Sequence, residues 1–312
     1  MANEAAEPIF GRLNDLVFDL VKDTAALRAS LPPKLGDSFA EVVRRVNARC
    51  SAVIEGDAVD DSTHAAVEKR LDAGTREAPA SAAFLAGIHR DLYGVDGPVA
   101  NLSRFEGAYA SVPGRFRQVL AVPASYQRLV QIGPFAQGNG VVARLMAHAA
   151  LVRLEMGSFW SLARALSRDL PQYRELVAAP GESDDTGIFG NQALMEFCRF
   201  FLTMTVDEVR FMQVLLNPAS LLPRVERYCA EELEAGRLPE GCYPVLREIL
   251  LRGELPRGEV ETLVPFRERK ARQITSRLRE SGLLASDGVR APLRVTFSDG
   301  VLARWLPGLT PV

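Results

Sequence analysis

The sequence predicts a mainly α-helical protein that ends in a small module of a different kind. Apolar residues recur at helical spacing through most of residues 1–236, and strand signals are scarce before residue 283. The charge balance also changes along the chain. Residues 244–312 carry 12 Lys and Arg against 8 Asp and Glu, whereas the remainder carries 25 against 31. We therefore expect an acidic helical body followed by a mildly basic module.

The helical patterns of the body end at recognisable stop signals. The first pattern stops at Pro32 and Pro33, and the second runs over residues 38–54 and stops near Gly56. A polar loop is predicted over residues 181–187. Further helices are predicted over residues 80–93, 140–155, 158–168, 192–216 and 221–235.

The C-terminal module has three short helical patterns, over residues 243–252, 257–263 and 268–281. Two extended stretches follow, over residues 283–286 and 293–297, and a turn signal, Asp287-Gly288, joins them. Three helices and a hairpin in this order are the layout of a winged helix-turn-helix. The predicted domains are N-terminal helices over residues 1–60, a helical domain over 61–236 and a winged-helix-like domain over 242–312, with the last boundary near 236–241.

Bulk properties exclude several classes of protein. A formal charge of −2 over 312 residues gives no general attraction to nucleic acid or anionic membranes. The four cysteines, at positions 50, 198, 229 and 242, form no close-spaced pair, which argues against a zinc site or a disulfide framework. The N-terminus lacks the basic segment of a signal peptide, and no apolar run has the length of a membrane span. We expect a cytoplasmic protein with no metal site and no membrane partner.

The segment 131–144, which is QIGPFAQGNGVVAR, carries the strongest functional signal. Gly138, Asn139 and Gly140 allow a tight turn that directs backbone N–H groups outward at the start of a helix. Such a turn can hold an anion such as the phosphates of a nucleotide. The alternative is structural: the glycines simply begin a helix whose apolar face includes Leu145 and Ala149.

This segment resembles the active-site loop of the Fic (Fido) family, whose pattern is His-Pro-Phe-x-(Asp/Glu)-Gly-Asn-Gly-Arg-x-x-Arg. The residues that match, and that would form an anion or ligand site, are Pro134, Phe135, Gly138, Asn139, Gly140 and Arg144. Three positions differ. Gly133 stands in place of the catalytic His, Gln137 in place of the acid, and Val141 in place of the first Arg.

The resemblance implies that the differing positions would carry the chemistry of AMP transfer. In the family the His deprotonates a target hydroxyl that attacks ATP, the acid holds Mg²⁺, and the two Arg neutralise phosphate. Gly133 cannot accept a proton, and Gln137 offers a neutral oxygen where Mg²⁺ prefers an anionic one. Val141 removes one phosphate contact. We therefore expect no catalytic residue in the loop, weakened binding of ATP and Mg²⁺, and no AMP transfer.

Residues 51–56, SAVIEG, are similar to the inhibitory helix of the family, Ser/Thr-x-x-x-Glu-Gly/Asn. The resemblance implies an inhibitory pair between Glu55 and Arg144. The alternative that we favour is a buried ion pair that locks two helices. Residues 89–93 and 113–117 also resemble family segments, and 118–132 is too short a connection for the flap hairpin that docks a target chain. His89 is expected to pack between helices rather than to catalyse.

The third helix of the C-terminal module lies where a winged helix places its recognition helix. Its basic residues are Arg267, Arg269, Lys270, Arg272, Arg277 and Arg279, of which Arg269, Lys270, Arg272 and Arg277 are the candidate DNA contacts. The alternative is a solvated face used for dimerisation or packing, because an excess of +4 is short of a strong basic footprint.

Three functions remain open at this stage. The first is a Fic-like protein with a degenerate site that binds a ligand or a protein partner, including a second copy of itself. The second is an enzyme that uses the same cleft for a nucleotide, phosphate or other small molecule. The third is a DNA-binding regulator acting through residues 244–312.

Overall fold

The protein is described from a computed structural model over residues 6–56, 59–98, 100–180, 191–266, 268–288 and 290–310. Two compact units are present. The first consists of Met1–Ala26 with Val43–Arg210, and the second of Leu27–Val42 with Phe211–Val312. The predicted polar loop over 181–187 and the predicted recognition residue Arg267 lie outside the described residues.

The predicted mainly α fold class is confirmed. Within the described ranges the chain forms fifteen α-helices, a short 3-10 turn and one two-stranded sheet. The helices up to residue 178 are α1 (Ala6–Ser30), α2 (Pro33–Glu55), α3 (Asp61–Asp72), α4 (Ala82–Tyr93), α5 (Ser103–Tyr109), α6 (Arg115–Ile132), α7 (Asn139–Arg153), α8 (Leu162–Ser167) and α9 (Leu170–Ala178). The later helices are α10 (Gln192–Leu216), α11 (Pro218–Glu234), α12 (Cys242–Arg252), α13 (Val260–Leu263), α14 (Glu268–Glu280) and α15 (Asp299–Trp305).

The helix pair α6 and α7 forms the centre of the first unit. These helices pack against each other, α3 and α4 pack on α7, and α9 packs on α6. Residues 141–149 of α7 are buried on every side, so this helix has no solvent-facing stripe. The residues 133–138 connect α6 to α7, and the predicted anion site therefore lies at one end of a rigid helix pair.

Helix α3 was not predicted, and its composition explains why. Its N-terminus is capped by Asp60, whose carboxylate accepts a hydrogen bond from Thr63 N–H. Its buried positions are His64, Val67, Glu68 and Leu71, so two of the four inward residues are polar. A periodicity search based on apolar residues does not register such a helix.

Helix α6 corrects the view of residues 118–132 as a connection. The segment is helical throughout and contains Pro123. Ten of its eighteen residues are buried, so its apolar and small residues cover more than one face and blur the amphipathic pattern. Helix α2 also begins earlier than predicted, because Pro33 occupies the first helical position, where its missing N–H is not needed.

The second unit contains the elements of the predicted C-terminal module in the predicted order. Helices α12, α13 and α14 precede β1 (Leu284–Ala285) and β2 (Arg294–Val295), which pair antiparallel with Leu284 opposite Val295. An isolated bridge joins Leu255 to Leu293. The described charged residues of α14 lie at exposed or partly exposed positions, while Ala271, Ile274, Thr275 and Leu278 are buried.

The boundary of this unit differs from the predicted one near 236–241. Helix α11 packs on α12 and α15, so it clusters with the C-terminal elements rather than with the helical body. Residues 27–42 also belong here: Phe39 stacks on Phe297 at 4.7 Å, and the ring of Phe297 meets Trp305 edge-on. Aromatic packing of this kind is not visible as a sequence pattern.

Candidate functional site

Two glycines and one asparagine fix the loop between α6 and α7. Gly133 ends α6 at φ 56° and Gly138 precedes α7 at φ 73°, and both values lie in the left-handed region that glycine adopts without strain. The Asn139 side chain closes the loop. Its Oδ1 accepts from Phe135 N–H at 2.9 Å, and its Nδ2 donates to the Phe135 carbonyl at 2.8 Å. The loop is thus held in one conformation by its own residues.

The loop also packs on α4. Phe135 is 4% exposed, and its ring lies nearly parallel to that of His89, with 4.2 Å between the ring centroids. The Nε2 atom of His89 lies 3.3 Å from the carbonyl oxygen of Gln137. A Cβ built at Gly138 would overlap the ring of Tyr93. His89 therefore packs against the loop itself, and the close approach of Tyr93 requires glycine at 138.

None of the three positions that differ from the Fic pattern offers a reactive group. Gly133 is exposed and has no side chain. The atom nearest to a Cβ built there would be 3.9 Å away. The Gln137 side chain is a neutral amide at an exposed position. Val141 is only 3% exposed and belongs to the core of α7. These residues can support neither proton transfer nor binding of Mg²⁺ through a carboxylate.

Arg144, on α7, is buried with only 3% of its surface exposed. Each nitrogen of its guanidinium group has a hydrogen-bond partner. Its Nη2 donates to Glu55 Oε1 at 2.7 Å, its Nε to Ser51 Oγ at 3.0 Å, and its Nη1 to the Tyr126 hydroxyl at 3.3 Å. The Tyr126 hydroxyl in turn lies 2.7 Å from that of Tyr173. The structure thus brings together Glu55 and Arg144, and it adds two tyrosines that the sequence did not point to.

The carboxylate of Glu55 occupies the region in which the sequence placed an anion. A Cβ built at Gly140 would overlap Glu55 Oε1, so the carboxylate lies against the first turn of α7. The N-terminus of a fifteen-residue helix favours negative charge there. The Glu55 side chain is 28% exposed, whereas that of Arg144 is 3% exposed. The anion next to this turn is therefore the protein's own side chain, and it has a path to solvent.

A buried polar cluster lies further along α7. His148 Nε2 is 2.8 Å from Asp72 Oδ1, and its Nδ1 is 3.8 Å from Glu68 Oε1. Asp72 also accepts from Arg44 and from Ser158, each at 2.7 Å. The cluster ties α7 to α3 and α2.

The acid–base properties of this cluster follow from burial and its internal charges. Burial raises the pKa of Glu68 to about 7. Burial also lowers the pKa of His64 to about 3, and the nearby charges of Arg144 and His148 act in the same direction. For His148 burial opposes the charge, but Glu68 and Asp72 outweigh it and raise the pKa. These groups are inside the protein, and their first effect is on stability.

The four candidate DNA-contacting residues lie on α14 and differ in their partners. Arg272 pairs with Glu268, and Arg277 Nη1 lies 3.2 Å from Glu280 Oε2. Lys270 Nζ lies 3.3 Å from Glu240 Oε2 and 3.4 Å above the Phe266 ring. Arg269 is exposed and has no carboxylate partner among the residues that the structure describes.

No group of three His, Cys, Asp or Glu side chains in the described part of the chain is arranged to hold a metal ion. None of the helices in the same ranges combines the length and the apolar character needed to cross a bilayer.

Comparison with known proteins finds a likeness among solved structures. No protein-family model matches the sequence, and no curated protein matches it. The chain is similar to the crystal structure of a Fic family protein from Desulfovibrio desulfuricans G20, with 14% sequence identity and a TM-score of 0.43. The similarity covers 91% of this chain and 96% of that chain.

Proposed function

We propose that the chain is a Fic-like protein that has lost AMP transfer and acts by binding a ligand or a protein partner. The proposal rests on the loop between α6 and α7. The residues that shape this loop match the Fic pattern, whereas the positions that would carry the chemistry have no reactive side chain. Phe135, Gly138 and Asn139 hold the turn through packing and hydrogen bonds. At positions 133 and 137 the chain has a glycine and a neutral amide. A rigid anion site without acid or base is suited to binding rather than to chemistry.

The pairing of Arg144 supports the same proposal. Each of its nitrogens has a protein partner, and Glu55 lies against the turn that would hold a phosphate. A bound anion and the Glu55 carboxylate compete for this turn because like charges repel. We propose that Glu55 acts as an internal occupant of the site, which an anionic ligand or an acidic partner segment displaces. Four unpaired, buried cysteines fit the proposed cytoplasmic location.

A transfer assay tests the loss of activity. The full chain is incubated with ATP labelled on the α-phosphate, Mg²⁺ and cell lysate, beside an intact Fic enzyme as a positive control. We expect no labelled protein with this chain. Labelling that depends on the chain would overturn the proposal.

A binding assay tests the anion site itself. In Glu55→Gln the side chain keeps its shape and loses its charge, so ATP should bind at least about tenfold more tightly than to the wild type in calorimetry. The matched control is Glu259→Gln, which removes one of the two carboxylate partners of Arg252 in the second unit and should leave ATP binding unchanged. If neither the wild type nor Glu55→Gln binds ATP or pyrophosphate, the loop is not an anion site and this mode of action is wrong.

A repurposed enzyme is the weaker alternative for the same cleft. His89 is the imidazole that contacts the loop, but it is stacked on Phe135 and its Nε2 faces the Gln137 carbonyl. It is therefore not presented to a substrate as a general base.

A second candidate function is DNA binding by the second unit. The order α12, α13, α14, β1 and β2, with the Leu255–Leu293 bridge, favours a winged helix, and α14 directs its basic residues outward. The acidic partners of Lys270, Arg272 and Arg277 reduce the charge available for phosphate contacts. We therefore propose weak, salt-sensitive DNA contact as the secondary function.

A further inference from the structure

A cavity of about 300 Å³ lies along the α6–α7 pair, away from the loop. It is lined by residues from the N-terminal half of α6, the C-terminal half of α7 and the segments before α4 and α6. Ala150, one of the lining residues, lies twelve residues after Gly138, or about 18 Å along the helix. The cavity is therefore a different place from the anion site at the loop.

Of the described residues, two arginines and no acidic residue line this cavity. Arg115 Nη2 donates to the Leu154 carbonyl at 2.6 Å, and Arg153 Nη1 lies 3.3 Å from the Glu77 carbonyl. Each contact uses one nitrogen and leaves the other N–H groups of the guanidinium available. Neither arginine has a carboxylate partner among the residues that the structure describes, and no Asp or Glu lines the cavity.

The floor of the cavity is apolar. Ala121 and Val122 from α6 and Met146 from α7 are buried there, together with Leu154 at the end of α7. Ser125 also lines the cavity, but its hydroxyl already donates to the Val122 carbonyl at 3.0 Å. A bound molecule would therefore contact positive charge at the rim of the cavity and apolar side chains below it.

The helix ends near the cavity do not decide its electrostatics. The N-terminus of α6, which carries a partial positive charge, begins at Arg115, and the C-terminus of α7, which carries a partial negative charge, ends at Arg153. Their partial charges oppose each other, and the full charges that line the cavity are those of Arg115 and Arg153.

We propose that this cavity binds a small organic anion with an apolar body. The carboxylate or phosphate group of the ligand pairs with Arg115 and Arg153, and its hydrocarbon part covers Val122 and Met146. Guanidinium groups match both kinds of oxyanion in a forked geometry. The volume lies at the lower end of the range for ligand pockets, so the ligand is small. This site is independent of the function proposed for the loop.

The test uses the full chain with its six methionines labelled at the ¹³C methyl group, and NMR as the local readout. The probes are hexanoate, hexyl phosphate and 1-hexanol, which share a six-carbon tail and differ in the head group. Met146→Leu assigns the Met146 signal, and the buried Met195, which does not line the cavity, is the internal control. We expect one or both anions to shift the Met146 signal in a saturable way, with hexanol at least about tenfold weaker. The stronger of the two anions identifies the head group.

Two variants separate the arginine contacts from a general charge effect. Arg153→Gln should weaken the bound anion about tenfold, or about 1.4 kcal/mol, and Arg115→Lys should weaken it less because it keeps a charge. Arg117→Gln is the matched control, since Arg117 is exposed on α6 and does not line the cavity. The proposal is overturned if neither anion shifts Met146, if hexanol binds as tightly as the anions, or if Arg117→Gln weakens binding as much as Arg153→Gln.

Discussion

Arg144 in the first unit and Arg272 in the second show two ways of pairing an arginine with a carboxylate. Arg144 is buried, has a partner on every nitrogen and joins α7 to α2 and α6. The side chain of Arg272 is 77% exposed and pairs with Glu268 one turn earlier on the same helix. A buried charge costs free energy whenever a partner is missing, whereas an exposed one is compensated by water. The Arg144 pair thus helps to hold the fold together, whereas the Arg272 pair lies on the surface and can change its geometry at little cost.

The largest effect is expected from Arg144→Met. Loss of the guanidinium leaves Ser51 and Tyr126 without a buried donor and removes the partner of Glu55, so we expect a loss of about 3 kcal/mol in the free energy of unfolding. Urea denaturation of the purified chain measures it. Arg272→Met is the matched comparison, with an expected change of about 0.3 kcal/mol, as for an exposed pair one turn apart. Similar losses in the two variants would remove the distinction between the two pairs.

Glycines in the two units give the next comparison. Gly138 and Gly282 have similar backbone angles, φ 73° and φ 66°, but only at Gly138 would a Cβ overlap a neighbour, the Tyr93 ring. We expect Gly282→Ala to cost about 1 kcal/mol, the strain of a left-handed residue, and Gly138→Ala to cost more than about 2 kcal/mol because Tyr93 must also move. Thermal unfolding of both variants checks the order. Equal melting temperatures would mean that Tyr93 does not constrain the loop.

The buried cluster around His148 predicts that the free energy of unfolding depends on pH, and that this dependence arises in the first unit. Burial opposes its charge, but Glu68 and Asp72 raise the pKa of His148 above 6.5. A raised folded-state pKa gives stabilisation that is fully present below pH 6.5 and is lost as the pH rises through the raised value. We expect the free energy of unfolding to fall above pH 6.5 and to fall less steeply in His148→Gln. Urea titrations over this range are the measurement. Arg272→Gln should keep the wild-type slope, and a wild-type slope in His148→Gln would contradict the assignment.

The smallest effects are expected on DNA contact by α14. Arg269 has no acidic partner in the described part of the chain, so Arg269→Gln should weaken binding to duplex DNA more than Arg272→Gln, whose arginine is already paired with Glu268. Fluorescence anisotropy at several salt concentrations measures this, and Arg269→Gln should lower the salt slope by about one. No binding at low salt, or equal effects of the two variants, would remove the proposed role of α14.

The sequence predicts the helices best where apolar residues form most of the buried face. The predicted helix over 192–216 coincides with α10, whereas α3 was missed because His64 and Glu68 occupy inward positions. Local loop features are similarly accessible, because Gly138, Asn139 and Gly140 predict a turn. The tyrosines that complete the Arg144 site lie 18 and 29 residues from it in sequence, and only tertiary packing brings them together. The position of α11 depends likewise on packing that has no local pattern.

The side chain of Asn139 has a consequence for the chemical lifetime of the loop. Asn139 is followed by Gly140, the sequence in which asparagine is most easily converted to aspartate. In the folded chain its amide is held between the N–H and the carbonyl of Phe135. Conversion to aspartate would replace Nδ2, which donates to the Phe135 carbonyl, by a carboxylate oxygen, which repels that carbonyl. It would also add a second negative charge to the turn that Glu55 already covers. Conversion would therefore break one of the two hydrogen bonds that shape the loop.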